Sequence, residues 1–327
     1  VGGSCRSLLF YFIKEAITML GSMIGAVELG LLYALMAIGV YITFRILDFP
    51  DLTVDGSYTT GGAVAAIMIT HGYEPWISTI CAFICGLAAG AITGLLHTKG
   101  KINGLLAGIL MMIALYSINL RIMGKPNISL VNTDTLFSAI SDNSWVYIPV
   151  LAVLVLFVKL LLDGFLHTDV GLALRATGDN ARMIRSLGAN TDTTKIIGVS
   201  LSNGLVALSG ALIAQESGFA DMSMGVGTIV LGLASVIIGE AIFGFRTVFQ
   251  ATLAAVLGSI VYRIIYALAL RVEFFDASDL KMITALIVVA ALVIPTVRRS
   301  MKQKALARKR TQELLVAAAA GSKGGRA

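Results

Sequence analysis

A chain of 327 residues that is 57% hydrophobic and 13% charged, with 34 glycines and a mean hydropathy of +0.87, excludes an ordinary soluble domain, which carries about 25% charge. The formal net charge of +6 does not indicate a nucleic-acid partner. From Arg298 onward nine basic residues face Glu313 alone, and a basic segment after an apolar run is a cytoplasmic anchor under the positive-inside rule. The reading is an all-α, polytopic transmembrane helical bundle, whose glycines let helices approach closely in lipid.

In chain order, Leu8 to Leu20 contains Lys14 and Glu15 and reads as an interfacial helix or a short extra span. No small-residue cleavage site marks it as a leader. Apolar runs of about 20 residues follow: Ile24 to Phe44, a polar-flecked Leu52 to Thr70, Trp76 to Leu96, Ile102 to Ile122 and Trp145 to Leu162. Ile196 to Gln215, Val226 to Phe243, Val248 to Leu270 and Leu280 to Val297 complete about nine spans, with eight to ten as the range. The organisation expected is an N-terminal piece 1–22, a transmembrane unit 23–297 with a loop at 167–195, and a basic tail 298–327.

Four spans separate that loop from the tail, so both lie on one side, with Arg45, Lys99 and Lys101. Arg121, Lys125, Arg271 and Lys281 fall on the other. The C-terminus is therefore expected in the cytoplasm and the chain in the cell membrane. Cys81 and Cys85, one turn apart in an apolar run, read as packing residues, and His71, His97 and His167 form no constellation. No metal site or cofactor is expected on this chain.

The loop HTDVGLALRATGDNARMIRSLGANTDTTK carries its own start and stop signals. Asp179 or Asn180 can cap a two-turn helix over Ala181 to Leu187, and Gly188 can take the left-handed position that ends it. Ala181, Ile184 and Gly188 share one side with Met183 and Leu187 adjacent, while Arg182 and Arg185 project elsewhere. Such a short amphipathic helix held between spans suits a groove on a soluble partner, although an ordinary solvated loop has the same spacing.

The stretch GLALRATGDNARMIRSLGAN, followed by IIGVSLSNGLVALSGALIAQ, resembles the coupling loop of the branched-chain amino acid/ribose-type permeases of ATP-binding-cassette (ABC) importers. Gly171, Arg175, Ala176, Gly178 and Asn180 match that family's G-x-x-x-R-A-x-G-x-N pattern. Ala181 departs from it, standing where acidic residues or proline are frequent. Glu28 to Ala66 and Ile229 to Val261 also resemble the family, and FPDLTVDGS is similar to a subgroup of tryptophan or tyrosine importers. The resemblance implies a type II importer-like fold and ATPase contact through Arg175, Gly178, Asn180, Ala181, Arg182, Met183, Ile184, Arg185 and Gly188. It further implies a separate ATPase subunit, a second permease copy and an extracytoplasmic binding protein, all at a lipid membrane. No phosphate-binding loop of the GxxxxGK[ST] type occurs here, so this chain is not expected to be the enzyme.

Residues Phe49 to Gly62 are too polar for a lipid-facing helix, and Pro50 and Gly56 are expected to interrupt regular geometry. Asp51, Thr53, Asp55, Ser57, Tyr58 and Thr59 are therefore candidates for lining the translocation path, together with Asn203. Irregular polar backbone at membrane depth must face protein or water. The alternative is a cytoplasmic turn capping the second span through Asp51 or Thr53. Asn203, Ser209 and Gln215 can equally join helices to one another. Glu28 and Arg263 lie at similar outer depths and are expected to pair or to face the path, or else to snorkel. The function expected is import of a small polar solute, an amino acid foremost. An ATP-independent secondary transporter and a sugar or nucleoside importer are the alternatives.

Overall fold

In the computed structural model the described residues are 2–138 and 144–270, with scattered helical positions between 282 and 301. Side chains are described from Met19 onward. The last expected span and the basic tail fall largely outside these residues, and Arg271 and Lys281 fall wholly outside them.

The described chain is helical apart from one short ladder. Helix α1 (Gly2–Val40) runs into a π-helical stretch, Tyr41–Ile46, and α2 (Thr53–Thr70), α3 (Pro75–Thr98) and α4 (Gly104–Met123) follow. Strand β1 (Asn127–Ser129), α5 (Ser144–His167), α6 (Asp169–Ser186) and α7 (Thr191–Ser217) come next. Strand β2 (Phe219–Asp221), α8 (Thr228–Phe243) and α9 (Val248–Ala269) complete the order. Residues 8–20, expected as a separate element, continue α1 without a break, since no proline or cap separates them from Gly21.

Six of the described helices are long and apolar enough to cross a membrane; α2 is too polar and α8 too short. The expected count of about nine spans is thus not established. Helix α7 is the hub, packed by α1, α2 and α3. On α3, Gly86, Gly90 and Gly94 face it one turn apart, and a Cβ on Gly90 would stand 2.4 Å from Val199 O. That contact exists because the small-residue stripe lets the two backbones meet. Cys81 and Cys85 are free thiols packed beside Val64 and Ala211.

β1 and β2 pair antiparallel, Ile128 opposite Ala220, which puts the ends of α4 and α7 on one face of the bundle. There the hydroxyl and amide of Ser223 donate to Asp221 and hold its carboxyl below the usual carboxylate range. The opposite face collects Arg45, His97, Lys195 and α6. Lys195 Nζ donates to His97 Nε2 at 3.2 Å, and the His97 ring meets Phe49 edge-on.

Close approach generates a test. A Cβ on Gly61 would lie 1.9 Å from Ala207 O, whereas one on Gly164 would meet nothing within 4 Å. Gly61→Val is expected to lower stability in detergent by about 1–3 kcal/mol through forced separation of α2 and α7. Gly164→Ala should change it by less than about 0.5 kcal/mol. Thermal unfolding followed by size-exclusion chromatography measures both.

Candidate functional site

The charged loop folds as α6, and its motif residues have steric reasons. A Cβ on Gly171 would stand 2.3 Å from Phe165 O, and one on Gly178 only 1.7 Å from Ile46 O. The first half of α6 is thus clamped against α5 and the end of the π-helical stretch. Asn180 leaves helical geometry (φ −156°, ψ 86°), and its side chain accepts from the Met183 amide at 3.1 Å, starting a second short helix. Gly188 ends it with φ +85°. Arg185 is tied back to Thr191 and Asp192, at 2.6 and 3.0 Å. Ala181 and Ile184 are partly covered and Arg182 is exposed. Met183 is 58% and Leu187 72% exposed, so this half presents apolar surface. Arg175 is half-buried at the same face, in electrostatic range of Tyr41 together with Arg45 and Glu240.

The expected path residues are mostly inside the subunit. Asp51 is fully buried; its Oδ1 accepts from the Thr53 amide at 2.9 Å and its Oδ2 from Asn203 Nδ2 at 2.6 Å. Ser57 Oγ donates to Asn203 Oδ1 at 2.7 Å, and Thr53 Oγ1 meets Thr93 Oγ1 at 2.9 Å. Asn203 lies 12 residues from the start of α7 and 14 from its end, so the junction sits about 18 Å into that helix. Asp51, Thr53, Ser57 and Asn203 therefore do not line an open path here: polar groups at that depth are satisfied by joining α2, α3 and α7. Tyr58 is likewise buried and stacks on Tyr33 with centroids 6.1 Å apart. Gly56, expected to interrupt the chain, lies within α2, where a Cβ would meet Leu115 Cδ1 at 2.9 Å.

Asp55 has a different task. Its carboxylate accepts from the Gly227 amide (2.9 Å), the Thr228 hydroxyl (3.0 Å) and the Ile229 amide (2.9 Å), capping α8 from another helix. Since Asp55 is one turn beyond Asp51, α8 starts near mid-depth rather than at a membrane face. Of the seven candidates, Asp55 and Thr59 border an open cavity of about 420 Å³ between α2, α4 and the 222–226 turn.

Glu28 and Arg263 do not pair. Glu28 interacts electrostatically with Glu216 at the C-terminal end of α7, whereas the Arg263 guanidinium lies over the Tyr33 ring, 3.8 Å from its centroid. Two charged pairs went unread in the sequence. Lys159 and Asp163 form a buried ion pair at 2.5 Å on α5, with Thr252 Oγ1 donating to Asp163 at 2.7 Å and the Phe249 ring beneath the ammonium. Their i,i+4 spacing was a visible signal. Arg45 Nε meets Glu240 at 2.9 Å, locking the π-helical stretch to α8.

The family model for the permease component of branched-chain amino acid transport systems matches residues 22–297. The chain belongs to this family of ABC transporter permeases. Relatives include the tyrosine transport system permease protein of Clostridioides difficile, 46% identical over 285 residues, 87% of this chain and 95% of that one. The ribose import permease protein RbsC of Escherichia coli K12 is 27% identical over 179 residues, 54% of this chain and 55% of that one. Among solved structures, one described as an inward-facing metal-chelate type ABC transporter aligns with a TM-score of 0.47 and 15% identity, covering 85% of each chain. As an ABC permease the chain is membrane-embedded and is not itself the ATPase, which is a separate component. A secondary transporter that needs no ATPase is set aside by the family match.

In this permease the α8 cap is the most testable element of the site. Asp55→Ala is expected to lower stability by about 1–2 kcal/mol and to speed amide exchange at Gly227 and Ile229, with Asp55→Asn intermediate. Hydrogen exchange with mass spectrometry in detergent checks it.

Proposed function

We propose that this permease imports an amino acid of the tyrosine class, driven by an ATPase that docks on the second half of α6. The observation that carries the substrate is the 46% identity to a tyrosine transport system permease across nearly its whole length. The docking assignment draws on the Asn180 break, which frees residues 181–187 from the clamped first half and leaves Met183 and Leu187 facing outward. An apolar helix face of this size suits a groove in a soluble partner.

Sidedness follows from charge. Arg45, Lys99, Lys101, Arg182, Arg185 and Lys195 share the α6 end, so this end is cytoplasmic under the positive-inside rule, and the C-terminus lies there too. Solute enters from the β1–β2 face, delivered by an extracytoplasmic binding protein. A second permease copy completes the path, consistent with Asp51, Ser57 and Asn203 being consumed within one subunit. In this reading the chain needs no cofactor of its own, and ATP is spent on the partner chain.

Two experiments test the reading. Uptake by cells carrying the whole transport system should be fastest for tyrosine; uptake of ribose in place of any amino acid contradicts the substrate assignment. Met183→Asp combined with Leu187→Asp is expected to cut co-purification of the ATPase at least tenfold while the permease stays monodisperse. Unchanged co-purification removes α6 from the docking role.

A further inference from the structure

Arg263 is an arginine at membrane depth without an anionic partner among the described residues. Its guanidinium stands 3.8 Å from the Tyr33 centroid and 5.6 Å from that of Tyr266. On α9, Arg263 is 15 residues from Val248 and 6 from Ala269, about 22 Å from one end of the helix and about 9 Å from the other. No carboxylate of a described residue lies within 4.0 Å, and Nε is buried with no acceptor. An ionised side chain at this depth is costly and marks a solute or ion route unless it is compensated.

The surroundings define what would compensate it. Arg263 opens onto a cavity of about 420 Å³ bounded by Tyr33, Tyr262, Tyr266 and the start of α8 at Gly227 and Thr228. This volume falls within the ~300–1,000 Å³ typical of small-molecule sites. The tyrosine face beneath the guanidinium satisfies its π-surface but not its in-plane donors. Those donors form a planar fork that matches a carboxylate. The helix pole of α8 is already held by Asp55, which leaves Arg263 as the cationic group among the described residues lining this cavity. The walls are mostly tyrosine rings and aliphatic chains, with Thr228 and Thr284 as hydroxyl groups. The occupant of matching chemistry is a small carboxylate bearing a planar apolar group.

We propose that Arg263 binds the carboxylate of the transported solute within the membrane-spanning part of the bundle, with Tyr33 and Tyr266 flanking its aromatic side chain. This deepens the amino-acid reading above and rests on it. Glu28 does not reach Arg263, so among the described residues no carboxylate occupies the guanidinium.

The test uses the complete transporter in proteoliposomes, with binding protein in excess and radiolabelled tyrosine as probe. Arg263→Gln is expected to lower the uptake rate at least tenfold. Arg263→Lys should be intermediate, because the charge remains and the fork is lost. Arg121→Gln, exposed on the outer end of α4, should match wild type. In wild type, a phenylalanine carrying a benzophenone should photolabel the peptides holding Tyr33 and Tyr266. Tyrosine should compete that label away, and tyramine, which lacks the carboxylate, should not. Arg263→Gln uptake within twofold of wild type overturns this site alone. If that variant does not assemble, the label decides: labelling confined to other helices, or equal competition by tyramine, overturns the site. A wild-type transporter that takes up no amino acid overturns the substrate reading and this site together.

Discussion

The Asp51 carboxylate, held between α2 and α7 halfway along α7, is the contact on which the rest of the bundle depends. No cation of a described residue pairs with it, and its burial is compensated by the Thr53 amide and the Asn203 side chain. The chain can leave helical form between Leu47 and Leu52 at this depth only because its polar groups find partners. Leu47 N donates to Ile42 O at 3.0 Å, and Phe49 N to Thr43 O at 2.9 Å. Without such partners irregular backbone does not persist in a membrane.

That junction links both ends of the subunit through a few residues. Gly178 of α6 rests on Ile46 O, and Leu47 packs where Gly198 leaves room. Four residues beyond Leu47 is Asp51, and four further is Asp55 at the start of α8. Helix α8 then returns to the α6 end, where Glu240 pairs with Arg45 of the π-helical stretch. The contacts form a closed circuit from the exposed helix to mid-depth and back. A π-helical stretch of this kind is uncommon and is found most often at functional sites. An ABC permease needs elements of this kind, because energy released on a separate chain must reach a solute within the bilayer.

Membrane character, the helix class and the family were legible from composition and from the Gly171 to Asn180 spacing. So was the local chemistry of the loop: Asn180 caps and Gly188 terminates as the residue types require. What local patterns cannot carry is the partner of a buried polar group. Asp51 and Asn203 are 152 positions apart, and the polarity that suggested a wet path is the same polarity that a dry interhelical junction requires. Gly56 looked like a breaker because a helix glycine and a packing glycine are written alike; only Leu115 against it tells them apart. Glu28 and Arg263 were matched on depth alone, and depth says nothing of azimuth around the helices. Lys159 and Asp163 were hidden by the strong hydropathy of the run around them, although their spacing was in plain view.

The most direct measurement of the account is a double-mutant cycle on Asp51→Ala and Asn203→Ala, read as unfolding free energies in bicelles. A shared buried hydrogen bond predicts a coupling energy of about 1–3 kcal/mol between the two changes. Additivity within about 0.3 kcal/mol would mean that the residues act independently, and the mid-depth junction would not be what holds α2 to α7.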